Sequence, residues 1–84
     1  MVDQAVLEPL QKYVVEQILG GSGAAVEPDT PLLEWGILNS LSTTRLVGFI
    51  REQFGVDVPP EELAGRNFKD LRSISQLVAR LKGE

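Results

Sequence analysis

Apolar side chains in the longer stretches of this chain recur every three or four positions, and no long stretch alternates apolar with polar. The first spacing belongs to helices, and half-buried strands would need the second. Leu7, Leu10, Val14 and Ile18 form one stripe between Val6 and Leu19, with Tyr13 on its flank. Pro9 lacks an N–H and clashes with a preceding helical turn. Two readings fit it: a helix starting near Glu8 with Pro9 in its first turn, or an earlier short turn meeting the helix at a kink. Gly20-Gly21-Ser22-Gly23 then stops the helix.

A second helix is expected from about Ser40 to Phe54. Counting Leu41 as zero and turning about 100° per residue, Leu46, Val47, Ile50 and Phe54 fall between about 140° and 240° and form the core stripe. Phe49 flanks it. Leu41 sits opposite, among Arg45, Gly48 and Glu52, on the face turned to water. Gly55 ends this helix. Pro60-Glu61-Glu62-Leu63 reads as a brief turn with its acids at the favourable end, and Asn67 as the cap of another. Ser73-Ile74-Ser75-Gln76 matches an S-x-x-Q capping box, so the last helix is expected to begin at Ser73, with Ile74, Leu77, Val78 and Leu81 on one face.

Residues 20–39 form a connection longer than most loops in compact domains. Leu32, Leu33, Trp35 and Ile37 are expected to pack it onto the body. Thr30-Pro31 can open a single turn, with Thr30 capping and Pro31 at the first helical position. The expected architecture is all-α: three main helices plus a short third one, packed around one core.

Eighty-four residues, 43% hydrophobic and 24% charged, suit one small domain spanning 1–84. The chain has no cysteine and no histidine. It therefore builds no disulfide, no Cys/His zinc site and no Ser-His-Asp or Cys-His centre. A catalytic role is not expected, and a cysteine-free small domain fits the cytoplasm. Net charge is −4. Residues 1–44 contribute −5 through one base and six acids, whereas residues 45–84 contribute +1. A nucleic-acid binder would need a basic face. No apolar run is long enough for a membrane span, and the N-terminus lacks signal-peptide character. No nucleic acid, membrane or metal is expected, and the chain reads as a monomer.

The chemically informative stretch is Glu34-Trp35-Gly36-Ile37-Leu38-Asn39-Ser40-Leu41. A glycine turn leads into a polar pair, and a helix begins there. Asn39 or Ser40 serves as N-cap. Ser40 follows a long loop, Leu41 beside it faces away from the core, and a helix N-terminus favours a phosphate ester.

Gly36-Ile37-Leu38-Asn39-Ser40-Leu41 resembles the signature of the acyl and peptidyl carrier proteins: a glycine, a short apolar spacer, then Asp-Ser-Leu opening the second helix. Asp29-Thr30-Pro31-Leu32-Leu33-Glu34, Phe54-Gly55-Val56-Asp57-Val58-Pro59 and Phe68-Lys69-Asp70-Leu71 extend the likeness over nearly the whole chain. The resemblance implies an acyl-carrier-like four-helix bundle with a long loop between helices 1 and 2. It implies that Ser40 receives phosphopantetheine from coenzyme A through a phosphopantetheinyl transferase using Mg²⁺. The arriving thiol then carries an acyl or aminoacyl group as a thioester, which accounts for the missing cysteine. Further implied partners are a loading enzyme (an adenylating ligase or acyltransferase) and a downstream synthase, tailoring enzyme or thioesterase.

Two departures refine this. Asn39 stands where many members have Asp, a residue that contacts the transferase and its metal. The second helix carries Arg45, Arg51 and Glu52 in place of an acid-rich face. Together with the Ile37-Leu38 spacer, this resembles discrete carriers of polyketide or nonribosomal peptide pathways more than a fatty-acid carrier. Partners are expected to read Leu41, Thr44, Arg45 and Gly48 with Asn39, Ile37, Leu38 and Trp35. Core packing is the alternative for Trp35 and Ile37. Phe49, Phe54 and Phe68 either line a cargo cavity or fill the core. The alternatives are an aminoacyl or peptidyl carrier proper, and a small helical interaction domain whose Ser40 merely caps.

Overall fold

A computed structural model describes residues 4–20 and 26–83. Helix α1 (Gln4–Tyr13) runs directly into a π-helical turn over Val14–Ile18. Helix α2 (Ser40–Phe54), a 3-10 turn (Pro60–Glu62), the short α3 (Gly65–Phe68) and α4 (Leu71–Leu81) follow. Among the described residues there is no strand. The expected all-α bundle of three main helices and a short third is what the chain forms.

One apolar cluster holds the helices together. α1 contributes Val6, Leu7 and Leu10 and α2 contributes Leu46 and Ile50. Phe68 comes from α3, and α4 contributes Leu71, Ile74, Leu77 and Val78. α1 packs most extensively on α4 and also touches α2. Val47 and Phe54, placed on the α2 core stripe, lie at its partly buried margin. The aromatic residues divide. Phe68 is in the core, whereas Phe49 stacks on Tyr13 at 4.3 Å and meets Phe54 edge-on at 6.2 Å along the α1–α2 seam.

Three helix starts differ from the sequence reading. α1 begins at Gln4 and continues through Pro9, which therefore lies inside the helix and not in its first turn. Burial of Val6 and Leu7 ahead of the proline offsets the cost of its ring. α4 begins at Leu71 and not at Ser73. Leu71 is fully buried, and the Asp70 carboxylate accepts the Ser73 N–H at 2.8 Å, so Asp70 is the cap and the S-x-x-Q box goes unused. An acid at this end also meets the positive end of the helix dipole. Asn67 does not cap either. It lies within α3 and donates Nδ2 to the Glu62 carbonyl at 2.8 Å, while Ala64 occupies the cap position. The other terminators behave as read. Gly55 closes α2 at φ 69°, a left-handed conformation that glycine adopts without a Cβ penalty. Gly20 likewise has a positive φ after the π-turn. Gly21, Ser22 and Gly23, read with it as the stop, lie outside the described residues.

The long connection is tied down by its backbone. Thr30 does not cap a following helix. Its Oγ1 accepts the Glu27 N–H at 2.8 Å, closing a turn behind it. A single turn does follow, with the Trp35 N–H donated to the Pro31 carbonyl at 3.0 Å. Leu32 donates its N–H to the Lys69 carbonyl at 2.7 Å, and its carbonyl accepts the N–H groups of Ile37 and Leu38. Arg72 donates its N–H to the Pro28 carbonyl and pairs with Asp29 at 3.1 Å. The Leu32 side chain is fully buried, as are Val26 and Leu38 at the two ends of the segment. The loop is thus seated on the α3–α4 junction, which sets where α2 can begin.

Truncating either anchor should show this. Leu32→Ala and Leu46→Ala should each cost about 2–5 kcal/mol, against a total of roughly 4–13 kcal/mol for a domain this size. Urea titration followed by helical circular dichroism measures both losses.

Candidate functional site

Buried Leu38 pins the chain just before α2. Gly36, at φ 74°, makes the turn that lets the backbone come back from Trp35 to Leu38. Asn39 then adopts extended backbone and caps the helix. Its Oδ1 accepts the Ser42 N–H at 3.0 Å, and its own N–H donates to Ser42 Oγ at 2.8 Å. The Ser42 hydroxyl has the Ile37 carbonyl and Asn39 Oδ1 each at 3.2 Å for its one proton. This reciprocal box resolves the choice left open by the sequence: Asn39 is the cap, and Ser40 is the first helical residue.

Ser40 is consequently exposed, and among the described residues its Oγ has no hydrogen-bond partner. Its carbonyl is occupied, accepting Thr44 Oγ1 at 2.8 Å. The site is a primary alcohol held at a defined place on a rigid helix. The chain has no histidine, and among the described residues no side chain is hydrogen-bonded to this hydroxyl to take its proton. The position suits a phosphodiester: the positive end of a 15-residue helix lies directly behind the hydroxyl.

The surroundings sort the expected contact residues. Leu41 is 72% exposed and Trp35 65% exposed, so Trp35 is not a core residue. Thr44, Arg45 and Gly48 are exposed along α2, and Ile37 is half-buried against the core. Leu38, expected among the contacts, is only 3% exposed. Its side chain anchors the loop and is withdrawn from the surface, which corrects that expectation. Arg45 extends toward the end of α1, where its Nη2 donates to the Gln17 carbonyl at 3.4 Å and Tyr13 Oη donates to the Arg45 carbonyl at 3.3 Å. The other α2 arginine, Arg51, pairs with Asp57 at 3.2 Å.

Two apolar residues at the site were not foreseen as such. Leu33 and Leu63 are both exposed and, with Asn39, Ser40, Thr43 and Thr44, line an open groove of about 400 Å³ beside the serine. Leu33, expected to pack onto the body, lies beside Gly65 of α3 but stays 39% exposed. In the Leu32-Leu33 pair Leu32 takes the buried place and Leu33 is left outside. Leu63 carries no periodic signal, being the residue that follows a one-turn helix. Among the described residues no group of His, Cys, Asp or Glu could hold a metal ion, and no helix is long and apolar enough to cross a membrane.

The chain is similar to known proteins. Residues 12–81 match the family described as phosphopantetheine attachment site. The chain is 33% identical over 73 residues to the probable acyl carrier protein PigG of Serratia sp. (strain ATCC 39006), covering 87% of this chain and 84% of that protein. Among solved structures, a chain in a crystal structure of FAD-dependent dehydrogenase is similar with a TM-score of 0.79 at 33% identity, covering 83% of this chain and 99% of that one.

The cap makes a direct prediction. Asn39→Ala should destabilise the protein by about 0.5–2 kcal/mol, whereas Asn39→Asp keeps the acceptor and should be neutral or slightly stabilising. Thermal unfolding of the three proteins at pH 7 gives the comparison.

Proposed function

The chain belongs to the phosphopantetheine-attachment family, that of the acyl and peptidyl carrier proteins, and on that premise we propose that Ser40 is its attachment residue. The observation that carries this reading is the division of labour at the helix start. Asn39 takes the capping role, and Ser40 keeps an exposed hydroxyl with no competing partner among the described residues. In the modification step Ser40 Oγ forms a P–O bond to the pantetheine-side phosphorus of coenzyme A. The pyrophosphate P–O bond breaks, adenosine 3′,5′-bisphosphate leaves, and the serine proton passes to a base of the transferase. The attached group supplies a terminal thiol that holds the cargo as a thioester.

The protein then acts as a non-catalytic, discrete carrier of an acyl or aminoacyl group in polyketide or nonribosomal peptide biosynthesis. It works as a cytoplasmic monomer visited by a loading enzyme and downstream synthase, tailoring enzyme or thioesterase. The relative PigG, a probable acyl carrier protein, supports a carrier of acyl groups. Helix α2, with Arg45, Arg51 and Glu52, supports a pathway other than one built around an acidic docking helix. A flavin-dependent enzyme acting on the tethered cargo is favoured among tailoring partners by the similar chain in the crystal structure of FAD-dependent dehydrogenase. Partners dock on Leu41, Trp35, Thr44, Arg45 and Gly48, with Asn39 and the edge of Ile37. The exposed leucine and tryptophan supply affinity, and Arg45 supplies orientation.

Incubation with coenzyme A and a broad-specificity phosphopantetheinyl transferase should add one phosphopantetheinyl unit to the intact mass. Ser40→Ala should abolish the gain. Absence of the gain where a control carrier is modified would leave a helical interaction domain as the better reading. Leu41→Asp should leave the circular dichroism spectrum and Tm unchanged and lower kcat/KM for modification by about tenfold or more. An unchanged rate would remove Leu41 from the docking face.

A further inference from the structure

The groove beside Ser40 is a shelf on the surface and not a mouth leading inward. Its lining residues are Leu33, Asn39, Ser40, Thr43, Thr44 and Leu63, and none of them belongs to the buried apolar cluster. A second groove on the other side of the helix start, about 280 Å³ between Ile18, Leu19, Ile37, Leu41 and Arg45, is likewise lined by no buried apolar residue. Ser40 itself borders only the first.

The side chains beneath are buried. On the inner face of α2, Leu46 and Ile50 are fully buried, as are Leu71 and Ile74 of α4, and Phe68 of α3 is 2% exposed. Leu33 reaches across from the loop toward α3, where a Cβ on Gly65 would meet its Cδ1 at 3.4 Å. The loop side chain therefore lies against α3 with only a glycine opposite. Threading an alkyl chain between these helices would displace close-packed side chains, and over-packed cores lose stability. The shelf offers two apolar walls. The Thr43 hydroxyl has no hydrogen-bond partner among the described residues, whereas Thr44 Oγ1 donates to the Ser40 carbonyl and Asn39 Oδ1 accepts from Ser42. No charged side chain lines it. Such a surface suits a compact acyl body with a polar edge.

Resting on the attachment of the arm at Ser40, we propose that the tethered group lies on the Leu33–Thr43–Leu63 shelf and stays outside the helix core. This carrier therefore serves short or ring-sized acyl and aminoacyl groups and not long alkyl chains. Its cargo remains open to partner enzymes without any unpacking of the bundle, and it gains no shelter from water.

The test uses the whole protein. A broad-specificity phosphopantetheinyl transferase loads it from acetyl-, benzoyl- and octanoyl-coenzyme A, and intact mass verifies each product. In ¹H–¹⁵N spectra, the benzoyl and octanoyl forms should differ from the acetyl form at Leu33, Asn39, Thr43, Thr44 and Leu63. Leu46, Ile50, Phe68 and Leu71 should stay in place. The Tm of the octanoyl form should lie within about 2 °C of the acetyl form, because a chain left outside adds no buried area. Hydroxylamine should release all three thioesters with the same relative rates as from the free coenzyme A thioesters. Shifts at the core amides, a Tm that climbs with chain length, or selective protection of the octanoyl thioester would overturn the proposal. Loss of any change along the shelf would do the same. Failure to gain mass at all would instead remove Ser40 as the attachment residue, and this inference with it.

Discussion

The two hydrogen bonds exchanged between Asn39 and Ser42 decide what the neighbouring serine is able to do. Helix starts have unsatisfied N–H groups, and some side chain must answer them. Had Ser40 answered, its hydroxyl would be an acceptor turned back along the helix. Because the residue before it caps, Ser40 stands one place further on with its oxygen facing out. Ser42, buried beneath, completes the box and also reaches the Ile37 carbonyl, so the cap binds loop and helix together. Asparagine at this place preserves the cap without adding a carboxylate beside Ser40.

That local arrangement depends on a longer-range one. Leu32 buries its side chain, takes a hydrogen bond from each of two loop residues and gives one to the α3–α4 junction. The end of α1 closes the other side through Arg45 and Tyr13. The ion pairs of Arg51 and Arg72 are exposed and contribute at most about 1 kcal/mol each, and that of Arg80 reaches a half-buried Glu62. Apolar packing carries the bundle, and the surface around Ser40 takes no part in it. Leu41, Trp35, Leu33 and Leu63 remain exposed, and Leu33 and Leu63 border the groove beside the Ser40 hydroxyl.

Much of this was legible beforehand. The apolar stripes of α1, α2 and α4 identified most of the core, since helical periodicity is a local property that burial then exploits. Gly55 and Pro60 were read correctly because a positive φ and a missing N–H act within one or two residues. Helix starts were less legible. Ser73-Ile74-Ser75-Gln76 is a sound capping pattern, but Asp70 reaches the same Ser73 N–H and lets Leu71 be buried. Pro9 looked like a boundary, but the apolar residues ahead of it had a partner surface in α4 that no local rule reveals. The loop was hardest. Which of Leu32, Leu33, Trp35, Ile37 and Leu38 turn inward depends on where α3 and α4 lie, and those residues have no period of their own.

The sequence by itself determined that this chain makes helices, that it has no Cys or His for a disulfide, a Cys/His zinc site or a His-activated nucleophile, and that a serine opens the second helix after a glycine turn. These follow from composition and from interactions spanning a few residues. Only the tertiary structure decided that Asn39 and not Ser40 is the cap, and that Leu38 is withdrawn while Trp35 and Leu33 are presented. It also decided that the groove beside the serine stops at the surface. Each of those outcomes depends on which side chains from distant parts of the chain compete for the same buried volume.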